Sequence, residues 1–116
     1  MERYNWNTIT EEKMNPQFSR QVIHTAQMTV AQVWLAKGCI VPTHRHISQQ
    51  VTMLRSGSLL YESEAGDRLV LQPGDVLVIP PDLPHRFEAL EDSTGTDLFT
   101  PAREDWIRGD DAYLRK

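Results

Sequence analysis

From Phe18 onward, the hydrophobic positions of the chain occur in short runs that turn residues separate. The separators include Ser56-Gly57 and Pro73-Gly74-Asp75, which favour tight turns because glycine and proline supply the backbone angles that turns require. None of the runs shows a helical period over helical length. Strands are predicted at 21–24, 28–36, 49–54, 58–63, 69–71, 76–79, 85–90 and 97–100. Short strands at this spacing predict an all-β sandwich or small barrel.

Two of these runs are apolar on both faces. The run 76–79 reads Val-Leu-Val-Ile, a pattern that suits a strand covered on both sides. The run 28–36 alternates Val30, Trp34 and Ala36 on one face with an equally apolar opposite face. One of its faces is therefore a candidate subunit interface, and we expect a homodimer.

The chain divides into a barrel and two flanking segments. Residues 1–17 are polar, end at Asn15-Pro16 and are predicted to form an N-terminal arm, followed by a barrel at 18–106 and a charged C-terminal tail at 107–116. Trp6 is the exception in the arm. Because an indole in a polar segment usually packs on something, the arm is expected to dock on its own barrel or on a second subunit.

Composition narrows the class of protein. The 116 residues fit one domain. With 12 Lys and Arg against 16 Asp and Glu, the net charge is −4, which disfavours binding to a nucleic-acid backbone. Cys39 is the single cysteine, so no internal disulfide forms. No apolar run has membrane-spanning length, and the first residues do not resemble a signal peptide. We expect a soluble, cytoplasmic protein with no membrane partner.

Three of the four histidines are candidates for a metal site. His44 and His46 are two residues apart, so on a strand both side chains leave the same face, roughly 7 Å apart at their roots. Gln50 has the same parity, and His85 begins a later strand after a proline-stiffened turn. Three imidazoles and a side-chain oxygen suit a divalent transition metal. Taken alone, however, a His-x-His pair is more often a surface or core feature than a ligand pair.

The spacing of these residues resembles the two motifs of the cupin family. The first motif is matched by Gly38, His44, His46, Gln50 and Gly57, with Gln where Glu is usual. The second motif is matched by Gly74, Pro80 and His85, with Asp82 and Ala89 replacing the usual Gly and Asn. The resemblance implies a single-domain jelly-roll barrel, a double-stranded β-helix. It also implies one divalent ion (Zn, Ni, Mn or Fe) held by His44, His46, Gln50 and His85.

The later part of the chain resembles a narrower group, the pectin-degradation cupins that open the ring of 4,5-unsaturated uronates from pectin or alginate breakdown. The resemblance lies in the Ala-Leu-Glu-Asp run at 89–92, in Asp97-x-Phe99, in Arg103 after a proline turn, and in Gln50. It departs at 47–49, where that group usually carries a further His and a Glu. The resemblance implies that Asp97 transfers a proton, Arg103 holds a substrate carboxylate and Phe99 packs on the sugar ring. The expected partner is a small anionic substrate.

Each of these residues also has a purely structural interpretation. Phe99 can be simple core, Asp97 can cap a strand end, and Arg103 can pair with Glu104 or Asp105.

Two other functions stay open as well. One is an iron-dependent dioxygenase, and the other is a binding module in which the metal holds a ligand without turnover. Because Gln50 is neutral, the ligand set leaves the ion its full charge, which favours Lewis-acid chemistry over redox cycling.

Overall fold

In this computed structural model, which describes residues 1–116, the chain forms ten strands. The strands are β1 (Glu12–Asn15), β2 (Phe18–His24), β3 (Thr29–Leu35), β4 (Ile40–His44), β5 (Gln49–Ser56), β6 (Leu59–Ser63), β7 (Arg68–Leu71), β8 (Val76–Ile79), β9 (His85–Ala89) and β10 (Ser93–Thr100). All strand pairs are antiparallel. One α-helix, α1 (Glu104–Ile107), and two 3-10 turns (Trp6–Thr8 and Ala112–Leu114) complete the fold. None of these helices has the length and apolar character needed to cross a membrane.

The strands form two sheets with one hydrophobic core. The larger sheet has the order β1-β2-β3-β10-β5-β8, and the smaller has the order β4-β9-β6-β7. Inward residues of both sheets, such as Val33 and Phe99 from the larger and Leu59 and Phe87 from the smaller, belong to a single buried cluster of 17 residues. The predicted all-β jelly roll is confirmed.

Each predicted run overlaps a strand, but two strands, β1 and β4, were not predicted. β1 is short and mostly polar, so its hydrophobic pattern is weak. β4 contains Pro42 and lies at the edge of the smaller sheet, where a residue without a backbone N–H is tolerated. β10 begins at Ser93, before the start that was predicted at Asp97. Its first half, which includes Gly95, has no apolar side chains, so the hydrophobic pattern did not indicate it.

The strand β8 is covered on one side only, so the prediction of cover on both sides is wrong for this chain. Ile79 is fully buried, whereas the side chains of Val76 and Val78 are 60% and 54% exposed. β8 is an edge strand of the larger sheet, and nothing in the chain packs over its outer face. β3 likewise buries Ala31 and Val33 fully, while its other face is half-buried.

Both terminal segments pack on the barrel. The Gln21 amide on β2 donates hydrogen bonds to the carbonyl oxygens of Trp6 (2.9 Å) and Ile9 (2.8 Å), so the arm docks on its own barrel. At the other terminus, Leu114 is buried in the core. The Asn15 amide holds this segment by donating to the Leu114 carbonyl oxygen at 3.2 Å.

Candidate metal centre

The two sheets bring His44, His46 and His85 together at one end of the barrel. His44 is the last residue of β4 and His85 the first of β9, and the strand register places them opposite each other. His46 was predicted to lie on the same strand as His44. It lies instead two residues beyond the end of β4. A loop contact positions it instead, because the Asp82 backbone N–H donates to the His46 carbonyl oxygen at 2.8 Å.

The three imidazoles form a compact cluster. Their ring centroids are 4.5 Å apart for His44 and His85, 5.2 Å for His46 and His85, and 5.5 Å for His44 and His46. One ring nitrogen from each residue lies within 4.8 Å of the other two. These nitrogens are close enough to bind one ion together.

Backbone carbonyl groups fix which nitrogen of each ring faces the cluster. Every Nδ1 has a carbonyl oxygen as its partner: Pro42 for His44 (2.7 Å), Ser48 for His46 (2.9 Å) and Leu83 for His85 (2.7 Å). A carbonyl oxygen only accepts, so each Nδ1 carries the proton and donates it. Each Nε2 therefore keeps its lone pair, the arrangement that metal-binding histidines adopt.

Burial keeps the three rings neutral. It lowers the pKa of His44 to about 3 and that of His46 to about 4, and it also lowers the pKa of His85. The Nε2 atom of His85 is buried and has no hydrogen-bond partner. A buried lone pair without a donor is costly, and a bound cation would satisfy it.

Gln50 contributes a fourth lone-pair group from the opposite sheet. Its Oε1 atom lies 3.0 Å from Nε2 of His46. Because that nitrogen carries no proton, two acceptors face each other at hydrogen-bonding distance, and a cation bound between them would relieve their repulsion. Three imidazole nitrogens and one amide oxygen are a donor set that fits a divalent transition metal.

The half-buried carboxyl group of Asp97 lies behind Gln50. The register of β5 and β10 pairs Asp97 with Thr52 and Phe99 with Gln50. The Gln50 amide Nε2 donates to the Thr52 hydroxyl at 2.9 Å, and that hydroxyl donates to Asp97 Oδ1 at 2.7 Å. Burial raises the pKa of Asp97 to about 6, although the hydrogen bonds from Thr52 and Gln50 oppose this shift. Asp97 and Phe99 share the inward face of their strand, as their spacing predicted.

Arg103 is fully buried and is already paired with a carboxylate. Its Nε and Nη2 atoms donate to Asp105 at 2.9 and 2.7 Å, which is the structural alternative that the sequence left open. Nη2 also donates to the hydroxyl of Tyr113 at 2.7 Å. The guanidinium carbon lies 4.8 Å from the centroid of the Phe99 ring. One edge of the guanidinium is thus occupied, and Nη1 makes no side-chain ion pair.

Tyr113 and Thr52 are site residues that the sequence analysis missed. The Tyr113 ring packs 5.0 Å from the His44 ring, and Thr52 joins Gln50 to Asp97. The one available signal was an isolated aromatic residue in a charged tail, the same signal that Trp6 gives in the arm. The two residues line a cavity of about 50 Å³ together with His44, Gln50, Asp97, Phe99 and Arg103.

The sequence and the structure of this chain are similar to those of known proteins. A family model described as the cupin domain matches residues 32–99. The chain belongs to the cupin family. A search of curated protein sequences finds no match to this cupin.

Solved cupin structures are similar over most of the chain. KdgF from Halomonas sp. is 30% identical, and the alignment covers 86% of this chain and 94% of that one with a TM-score of 0.79. An RmlC-like cupin from Shewanella frigidimarina is 25% identical, with 91% and 96% covered and a TM-score of 0.83. Oxalate decarboxylase from Bacillus subtilis is 17% identical over 84% of this chain and 28% of that one, with a TM-score of 0.75. The last likeness shows the shared fold alone.

Proposed function

We propose that this cupin is a metal-dependent enzyme that opens the ring of 4,5-unsaturated uronates. The observation that carries the proposal is the convergence of four lone-pair groups, from His44, His46, His85 and Gln50, beside the half-buried carboxyl group of Asp97. The likeness to KdgF at 30% identity supports the same substrate class, since it agrees with the resemblance to pectin-degradation cupins. A divalent ion (Zn, Ni, Mn or Fe) held by these four residues would polarise a substrate or water oxygen as a Lewis acid.

The reaction is an isomerisation that needs a proton to move within the site. The bond between the anomeric carbon and the ring oxygen breaks, the anomeric hydroxyl loses its proton, and C4 gains one as the enol at C5 becomes a ketone. Asp97 is suited to carry that proton, because its pKa of about 6 lets the carboxyl group accept and return a proton near neutral pH. Phe99, on the same strand face, supplies an apolar wall for the sugar ring.

Two groups remain to hold the substrate carboxylate. Arg103 uses Nε and Nη2 on Asp105 and Tyr113, which leaves Nη1 as a charged donor. The Tyr113 hydroxyl accepts a hydrogen bond from Arg103, so its own proton is available to donate. In this proposal, the carboxylate receives one hydrogen bond from Nη1 of Arg103 and one from Tyr113. Asp105 keeps the guanidinium in place.

The size of the cavity adds a condition to the proposal. Its volume of about 50 Å³ is far below the roughly 300–1,000 Å³ of typical ligand pockets. Tyr113 and Leu114 of the C-terminal segment line it. A uronate therefore fits only when this segment shifts outward from His44, with Tyr113 still within hydrogen-bonding reach of the substrate carboxylate.

We also propose that the protein forms a homodimer, as the sequence predicts. The exposed Val76 and Val78 on the outer face of the larger sheet support a homodimer through that face, since exposed apolar patches mark interfaces. Light scattering on the purified protein tests this, and a monomeric mass contradicts it. We also propose a cytoplasmic location.

Loss of the ultraviolet absorbance of a lyase-generated unsaturated uronate measures the proposed activity. The metal-loaded wild type is expected to accelerate this loss over buffer, and Asp97→Asn to reduce kcat by about 10²- to 10⁴-fold, since it removes the proton-carrying group. Asp110→Asn, an exposed Asp in the same tail as Tyr113, is the matched control and should keep the wild-type rate. No acceleration by the metal-loaded wild type would contradict the proposal.

A further inference from the structure

The hydroxyl of Thr52 lies between the side chains of Gln50 and Asp97 in the candidate site. Thr52 is 4% exposed and lies on β5 opposite Asp97. Its Oγ1 atom accepts a hydrogen bond from Gln50 Nε2 at 2.9 Å and donates to Asp97 Oδ1 at 2.7 Å. A threonine hydroxyl has one proton and two lone pairs. The bond to Asp97 uses the proton, and the bond from Gln50 uses a lone pair.

This use of the hydroxyl fixes the orientation of the Gln50 amide. An ionised carboxylate only accepts, so the single Thr52 proton is directed to Asp97. The Thr52 oxygen then presents only a lone pair to Gln50, which selects the NH₂ end of the amide. The Gln50 Oε1 atom must therefore face His46 Nε2, from which it lies 3.0 Å away.

The opposite orientation of the amide would block metal binding. The two ends of a glutamine amide have nearly the same shape, so only hydrogen bonding distinguishes them. A flipped Gln50 would direct its NH₂ group at the lone pair of His46 Nε2 and hydrogen-bond to it. The site would then lose the amide oxygen as a ligand, and the lone pair of His46 would be occupied.

The same chain of bonds accounts for Gln50 where most cupins carry Glu. A glutamate at this position would offer only acceptors to Thr52. Two carboxylates, at 50 and 97, would then compete for one hydroxyl proton in a buried space, which is unfavourable for both. Gln50, Thr52 and Asp97 are therefore compatible as a set.

We propose that Thr52 is a positioning residue that holds the Gln50 amide oxygen toward the three histidines and so sets the affinity of the site for a divalent ion. The inference rests on the metal centre of the proposed function and not on the ring-opening reaction. A metal titration without substrate tests it, so its failure is distinguishable from the absence of uronate activity.

Thr52→Val removes the hydroxyl and keeps the shape of the side chain, while Thr52→Ser keeps the hydroxyl. The affinity of each variant for Co²⁺ is measured at pH 8 by competition with a chelator, together with the visible absorption spectrum of bound Co²⁺. Thr52→Val is expected to bind Co²⁺ about 10- to 100-fold more weakly, as is typical when a partner of a metal ligand is lost. Its spectrum should change because the amide oxygen leaves the ion, and Thr52→Ser should restore both properties.

The matched control is Thr96→Val, the same substitution on β10 with the side chain on the outer face of the sheet. A loss of at least fivefold in Thr52→Val that Thr52→Ser reverses and Thr96→Val lacks supports the proposal. A smaller loss, a loss shared by either of the other variants, or a wild type that binds no Co²⁺ overturns it. Thr52→Ala replaces Thr52→Val in the same test if the latter does not fold.

Discussion

The buried ion pair between Arg20 and Asp111 fastens the C-terminal segment to the barrel, and breaking it should destabilise the protein strongly. The two side chains are each 3% exposed, and the Arg20 guanidinium donates to the Asp111 carboxylate. Arg20 also packs 4.3 Å above the ring of Trp106. Its remaining acceptor is Glu12 at 3.4 Å, and its Nε and Nη1 atoms have no partner. Asp111 is therefore the main group that compensates the buried positive charge of Arg20.

Asp111→Asn keeps the shape of the side chain and removes its charge. Removing one partner of a buried pair typically costs about 3–5 kcal/mol, and we expect about 3 kcal/mol here because Glu12 offers partial compensation. That loss is a large part of the 5–15 kcal/mol by which domains are usually stable. At roughly 4 °C per kcal/mol, the melting temperature should fall by about 12 °C.

The stabilisation by Asp111 should depend on pH, because folding changes the pKa of its carboxyl group. Burial would raise the pKa of Asp111, but the hydrogen bonds from Arg20 and Arg115 outweigh it and hold the pKa below its ordinary value. A carboxyl group with a depressed folded pKa stabilises the protein above its unfolded pKa of about 3.9 and loses that contribution as pH falls. The difference in unfolding free energy between wild type and Asp111→Asn should therefore be full at pH 7 and shrink below about pH 4.

Denaturant unfolding at several pH values measures both effects. The double variant Arg20→Met with Asp111→Leu is the control, because replacing both charges by apolar groups removes the unpaired charge and should cost less than Asp111→Asn alone. A loss below about 1 kcal/mol at pH 7, or a difference that does not change with pH, would contradict the stabilising role of the Arg20–Asp111 pair.

Two further substitutions test other parts of the account. Tyr113→Phe should raise KM for an unsaturated uronate by about tenfold or more with little change in kcat, because a hydrogen bond to a charged group is worth about 1.5–3 kcal/mol. An unchanged KM in steady-state kinetics would remove Tyr113 from the substrate site. Gly57→Ala should lower the melting temperature sharply, since Gly57 has a φ of 92° and an added Cβ would clash with the Asp92 carbonyl oxygen. Gly74→Ala is its control, with a similar φ of 94° and open space around the Cβ, and equal melting temperatures for the two variants would count against this steric explanation.

The fold and most of the histidine cluster were predictable because they depend on local patterns. Turn residues at regular intervals mark the strands, and the spacing of His44, His46 and His85 falls on a family motif. The alternation of a strand also placed Asp97 and Phe99 on one face correctly. These features follow from the period of two, which a sequence shows directly.

The contacts between residues far apart in the chain were not predictable in the same way. Thr52 joins Gln50 to Asp97 only because β5 pairs with β10 in one particular register. His46 lies beyond its strand, and a loop contact with Asp82 positions it. Tyr113 reaches His44 from the far end of the chain. Each of these arrangements depends on tertiary packing, for which a single sequence carries no periodic signal.

The proposed function depends on a divalent metal ion held by His44, His46, Gln50 and His85. Elemental analysis of the purified wild type, beside the His44→Ala, His46→Ala double variant, measures whether these residues bind it. We expect about one transition-metal ion per chain in the wild type and almost none in the double variant, because only one imidazole and one amide oxygen remain. Equal metal content in the two proteins would contradict the site assignment.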